Sequence, residues 1–204
     1  MGSSKVADSN AIESGVRTFR LRRGKVGGVD AVEVSTVVYL PPEEVYDFLV
    51  DFPRYANYSK YLTGVEQRGD GSPGTEYDLQ FAWWKLTYTA RSRVTSVSPP
   101  AKIEWEIIKH LTARGHWRVE EVPEEAPPDR EMASRVYFRV EFSADSVDES
   151  AIDLPALVSL GWVVKKVIPL IEGEAERIVS RVVADLEGQR REVELTIHDS
   201  PDSV

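Results

Sequence analysis

Cysteine is absent from this chain of 204 residues, and histidine occurs only three times. The first absence excludes disulfide cross-links, thiolate nucleophiles and cysteine-held metals. The second leaves His110, His116 and His198, too scattered to suggest zinc, so neither a metal nor a cofactor is expected. Basic charge is scarce as well: 25 Lys and Arg stand against 34 Asp and Glu, a formal net charge of -9. That balance opposes nucleic-acid binding, which calls for a basic face. Arg17, Arg20, Arg22 and Arg23 do cluster, but around Phe19 and Leu21 they read as the solvated face of a strand. Long apolar runs are missing too. Residues 154–171 are interrupted by Ser159, Lys165, Lys166 and Pro169, so stable membrane insertion is not expected. The opening Met1-Gly2-Ser3-Ser4-Lys5-Val6 lacks the apolar core of a secretory signal, and a cytoplasmic location is expected.

What remains is ordinary globular material, 42% hydrophobic, long enough for one domain with a substantial core. Residues 1–15 are small and polar and read as a disordered tail. Residues 16–190 read as a single domain and 191–204 as a loose tail. Residues 29–40 are β-branched and alternating, a long strand. Pro41, Pro42, Glu43 and Glu44 then open a helix, since proline suits the first turn and acids suit its positive end. Val45, Phe48 and Leu49 supply the buried stripe of that helix, and a second short helix is expected over residues 53–58. Gly69 to Gly74 form a dense turn signal. Past it, Tyr77, Leu79, Phe81 and Trp83 alternate with polar neighbours, and Trp84, Leu86, Tyr88 and Ala90 continue the period of two. Ile103, Trp105 and Ile107 mark the next strand, Trp117 and Val119 another, and Val136, Phe138, Val140 and Phe142 the last. Residues 123–131 form an acidic, proline-rich loop that should be exposed.

Over residues 168–188 the period changes. Ile168, Ile171, Ala175, Ile178, Val182 and Leu186 recur at spacings of three and four, with Val179 and Val183 beside them. Such a helix is about 30 Å long, enough to cross a curved sheet and leave a hollow beneath it. Asp153-Leu154-Pro155 resembles an earlier helix start, and Pro169 must kink one helix or separate two.

This order of strand, two helices, antiparallel meander and long closing helix resembles the helix-grip fold of the START-like, polyketide cyclase/dehydrase superfamily. The residues that carry the resemblance are Leu40-Pro41-Pro42-Glu43-Glu44-Val45-Tyr46-Asp47-Phe48-Leu49 followed by Asp51-Phe52-Pro53-Arg54-Tyr55. The second segment is most similar to the branch of coenzyme Q-binding proteins and ribosome-association toxins, although Ala56-Asn57-Tyr58-Ser59 departs from that branch. The resemblance implies an α+β fold and a cavity between sheet and helix that holds a lipid, quinone, isoprenoid or polyketide-like molecule. It also implies two alternatives: an enzyme of the cyclase, aromatase or dehydratase type, or a protein-interaction module like the ribosome-association toxins.

The expected ligand-binding residues follow from combining that cavity with the strand and helix registers. From the sheet they are Tyr77, Phe81, Trp83, Trp84, Tyr88, Trp105, Trp117 and Phe138; from the helix, Ile171, Ala175, Ile178, Val179 and Val182. Each could instead be filled core, because aromatic lining suits both. Trp83 and Trp84 are adjacent and point to opposite faces unless a bulge turns both inward. Spacing reveals no catalytic residue. His116 should face solvent, and two inward tyrosines are few for polarising a ketone. Asp51, Arg54 and Tyr55 could form a partner-binding or ligand-admitting corner, or simply cap and pack a helical turn.

Overall fold

The computed structural model describes residues 30–83, 86–109, 112–142 and 160–199. Eight strands form one antiparallel sheet: β1 (Asp30–Val38), β2 (Leu62–Arg68), β3 (Glu76–Trp83), β4 (Leu86–Ser98), β5 (Lys102–Lys109), β6 (Ala113–Glu121), β7 (Ser134–Phe142) and β8 (Thr196–Asp199). Their order across the sheet is β2-β3-β4-β5-β6-β7-β1-β8. The meander from β2 to β7 thus returns beside the first strand, where Val34 stands opposite Phe138 and Thr36 opposite Val136. Helix α1 (Pro42–Val50) and a 3-10 corner (Phe52–Asn57) follow β1, and helix α2 (Leu160–Glu187) follows the meander.

Helix α1 begins where the prolines allow, with Glu43 and Glu44 in its first turn, and it buries Val45, Tyr46, Phe48 and Leu49. The second short helix is the 3-10 corner. Helix α2 is 28 residues long, about 42 Å at the usual rise. It starts eight residues before the apolar period of three and four and continues through Pro169, so one helix spans that residue. The proposed start at Asp153, the N-terminal tail and the Arg17–Arg23 strand lie outside the described residues.

Two further differences concern strands. Past Gly188, where a loose tail is expected, Thr196–Asp199 is an edge strand paired with β1. His198 hydrogen-bonds there to the buried Ser35 hydroxyl at 2.7 Å. β2 is a polar strand whose only buried residue is Leu62, so it lacks clear hydrophobic alternation. The 123–131 loop is largely exposed, as expected, and holds a 3-10 turn (Pro123–Glu125). It also touches α2, because Arg130 donates to the Glu187 carbonyl at 3.2 Å.

The solid core lies at one end of the sheet. There Val38, Ile103, Val119 and Val136 meet Val45, Phe48, Phe52 and Val183 from the helices and the corner. On the opposite face of the sheet the side chains are charged. Asp78, 6% exposed, accepts a forked pair of bonds from Arg91 at 2.6 and 3.0 Å and a third from Arg68 at 2.6 Å. The Arg91 hydrogen bond outweighs burial and holds the Asp78 carboxyl below the ordinary carboxylate range. A group depressed on folding stabilises the protein fully above its unfolded pKa and loses that contribution as pH falls through the folded value. Asp78→Asn should therefore flatten the acid limb of a plot of urea midpoint against pH. An unchanged slope would show that other carboxylates dominate acid unfolding.

Candidate functional site

Between α2 and the concave face of the sheet lies a hollow of about 670 Å³. Its existence follows from side-chain size. Helix α2 lines it with Val179 and Val182, and the walls from the sheet include Ala90 and Ser92 on β4 and Ala113 on β6, side chains too small to fill it. Beside them Gly115 stands opposite Trp105. A Cβ at Gly115 would lie 2.4 Å from the Arg139 carbonyl oxygen and 2.4 Å from Cζ2 of Trp105. Only glycine lets the indole lie against β6 at this point.

The walls are aromatic on one side and aliphatic on the other. Trp105 stacks on Phe138 at 5.9 Å, and Phe138 meets Trp117 at 4.5 Å. Phe81 and Tyr88 are cross-strand partners between β3 and β4 and contribute the far wall. Phe81 is 37% exposed, so this wall borders solvent. From above come Ile178, Val179, Val182, Val183 and Leu186 of α2.

Of the thirteen residues expected at the site, eight line this hollow: Phe81, Tyr88, Trp105, Trp117, Phe138, Ile178, Val179 and Val182. Tyr77 does not. It shares their face of the sheet, but the Phe52 ring of the corner covers it at 4.6 Å and leaves it 1% exposed, so it is core. Trp83 and Ala175 are half-buried and not among the wall residues. Trp84 and the side chain of Ile171 lie outside the described residues.

The walls also include residues not expected from the sequence. Leu79, Ile107, Val140 and Phe142 continue the strand alternation, so that signal was present. Val45, Phe48, Leu49, Phe52, Tyr55 and Tyr58 close the hollow from α1 and the corner. The periodicity of a short helix shows which side is buried, but not what that side faces.

Polar wall groups are few and mostly engaged. Tyr55 donates to the Leu49 carbonyl at 2.6 Å, and burial pushes its phenol well above the ordinary range. The Tyr58 phenol, also raised by burial, donates to Asp185 of α2 at 2.5 Å. Arg54 grips the same carboxylate at 2.6 Å. The corner is therefore both wall and fastening for α2, and it opens with the Asp51 backbone carbonyl accepting the Arg54 N–H at 3.0 Å, without a cap from the Asp51 side chain. Burial also raises the Tyr88 phenol. All three phenols stay protonated at neutral pH. His116, on the outer face, is half-buried, and burial lowers its pKa. Among the described residues no cluster of His, Asp and Glu has metal-site geometry, and no helix is long and apolar enough to cross a membrane.

An eight-stranded antiparallel sheet gripped by a long C-terminal helix, with a hollow between them, defines a helix-grip protein. The chain belongs to the family described as polyketide cyclase / dehydrase and lipid transport, whose model it matches over residues 30–187. Among solved structures it is similar to the Zhui aromatase/cyclase from Streptomyces sp. R1128, with a TM-score of 0.54 and 15% identity over 78% of this chain and 94% of that one. At that identity the likeness concerns the fold. A search of curated proteins finds no significant match.

Proposed function

We propose that this protein binds a hydrophobic or amphipathic small molecule in the hollow beneath α2 and carries it without chemical change. The observation behind this reading is the hollow itself, about 670 Å³, lined mainly by aliphatic and aromatic side chains and within the usual range for small-molecule sites. Apolar surface moved there from water gains roughly 25 cal/mol per Å². Lipids, quinones, isoprenoids and polyketide-like molecules all present such surface. Carriage ranks ahead of cyclase chemistry because the Tyr55 and Tyr58 hydroxyls are already committed within the protein, which leaves the Tyr88 phenol and the unpartnered Trp105 indole N–H as wall donors. Neither is a charged group, and cyclisation calls for several positioned donors to polarise a ketone and hold an enolate.

Trp105 and Trp117 in the wall provide a direct test. Tryptophan emission should be quenched saturably by quinone or polyaromatic ligands, and the quenching should fall in a Trp105→Phe, Trp117→Phe double variant. Unchanged emission across a panel of such ligands would count against an aromatic wall in contact with ligand. Mass spectrometry of an organic extract of the purified protein should in turn show a retained apolar compound.

A further inference from the structure

One charge cluster sits where α2 meets the loop after the corner. Glu174 lies one turn before Ile178 on α2, and its side chain is only 3% exposed. Three cations converge on it: Arg177 at 3.3 Å, Lys60 at 3.6 Å and Arg181 at 3.7 Å. Their combined effect keeps the Glu174 carboxyl below its ordinary range in spite of burial, which acts the other way. The nearby Asp185 is already engaged by Arg54 and Tyr58. Among the described residues one carboxylate thus answers three cations, a local excess of positive charge in a chain whose formal net charge is -9.

The position of these cations relative to the hollow gives the excess its meaning. Each is next in sequence to a wall residue: Lys60 to Ser59, Arg177 to Ile178 and Arg181 to Val182. Their side chains are 54, 63 and 49% exposed, so they remain open to an incoming group. Arg177 and Arg181 also line a polar groove outside the hollow, and Tyr58 is a wall of both spaces. The excess charge therefore lies on the rim, where the apolar interior gives way to water. Fixed positive charge at such a boundary favours an anion whose apolar part is already buried.

We infer that the ligand is an amphipathic molecule with one anionic head, a carboxylate or phosphate monoester, seated against Lys60, Arg177 and Arg181 while its apolar body fills the hollow. This rests on the binding reading above. In this arrangement Glu174 orders the cations but competes with the head group for them, so its charge weakens anion binding.

Competition for a neutral fluorescent probe, N-phenyl-1-naphthylamine, tests the inference with three ligands of equal chain length: dodecanoate, dodecyl phosphate and dodecanol. At low salt the anions should bind about tenfold tighter than the alcohol, and the difference should shrink at high salt as the charges are screened. The ranking of the two anions identifies the head group. In a Lys60→Gln, Arg177→Gln variant, altered at exposed side chains, the preference for anions over alcohol should collapse to about twofold at most. Glu174→Gln should do the opposite and increase that preference several-fold. A merely structural carboxylate would instead weaken all three ligands together, and that result would overturn the inference. So would equal affinity for alcohol and anions in the parent protein, which would leave the binding reading standing. Failure of the probe and all three ligands to bind would overturn both.

Discussion

Replacing Glu187 by alanine should destabilise the fold by about 3–5 kcal/mol, the range for removing one partner of a buried ion pair. The Glu187 side chain is 0% exposed, and it receives Arg191 through both carboxylate oxygens, at 2.7 and 2.8 Å. It also accepts the backbone N–H of Tyr39 at 2.9 Å. Arg191 in turn donates to the Val37 carbonyl at 2.6 Å and lies 4.0 Å over the Tyr39 ring. One carboxylate therefore joins the end of α2 to the segment leaving β1 and to the chain that returns toward β8. Its loss leaves a largely enclosed guanidinium without a counter-charge and a backbone donor without its acceptor. The urea midpoint should fall sharply, with a thermal shift on the order of 10 °C for a chain of this size. Glu187→Gln keeps one acceptor and should lose less. An alanine variant as stable as the parent would mean that water replaces the carboxylate at this joint.

The comparison of the two variants bears on what α2 rests upon. Along its inner face the helix sends Val183 into the core cluster, near Glu187, while Ile178, Val179, Val182 and Leu186 are half-buried against that cluster and border the hollow. From Ile178 to Leu186 that face borders the hollow, and the helix is fastened at its flanks. Asp185 bonds to Tyr58 and Arg54, Arg181 donates to the Tyr58 carbonyl at 2.5 Å, and Glu174 meets Lys60. Polar links at the margins allow an apolar interior to remain unfilled. A helix held by interdigitated side chains along its whole length would need the space closed.

The sequence exposes this architecture unevenly, for physical reasons. The meander was legible because a sheet with one apolar face imposes a period of two, visible from Tyr77 to Phe81 and from Val136 to Phe142. The α1 start was legible because prolines and acids have few other places in a helix. β8 was not: four residues at a sheet edge, Thr196-Ile197-His198-Asp199, carry no repeat, and their pairing depends on β1, more than 150 positions earlier. The ion pair of Glu187 and Arg191 has the spacing of any exposed helix pair, and its burial comes from Tyr39 and β1. At the site, the aromatic walls were legible from strand register, whereas the small residues that create the space were passed over. Ala90, Ser92 and Ala113 weaken a hydrophobic pattern, yet they are the small walls of the hollow, and Gly115 makes room for the Trp105 indole. Tyr77 shows the converse limit, since the register gives its face correctly but not the Phe52 ring that covers it.

Val179→Trp should leave the denaturant midpoint nearly unchanged and abolish ligand uptake. Val179 is half-buried and is a wall of the hollow, whose sheet side includes the small residues Ala90, Ser92 and Ala113. An indole added there extends into open space and takes the volume a ligand's apolar body would fill. In a filled core the same substitution forces side chains off their rotamers and costs about 1–3 kcal/mol or more. Val183, one turn on, supplies that contrast: although it borders the hollow, it is 1% exposed and packed within the core cluster, so Val183→Trp should unfold the protein in much less urea. Measuring the urea midpoint and quinone quenching of both variants separates the cases. Strong destabilisation by Val179→Trp would mean that the hollow is closed in solution, and a stable Val179→Trp protein that binds as well as the parent would place the ligand elsewhere.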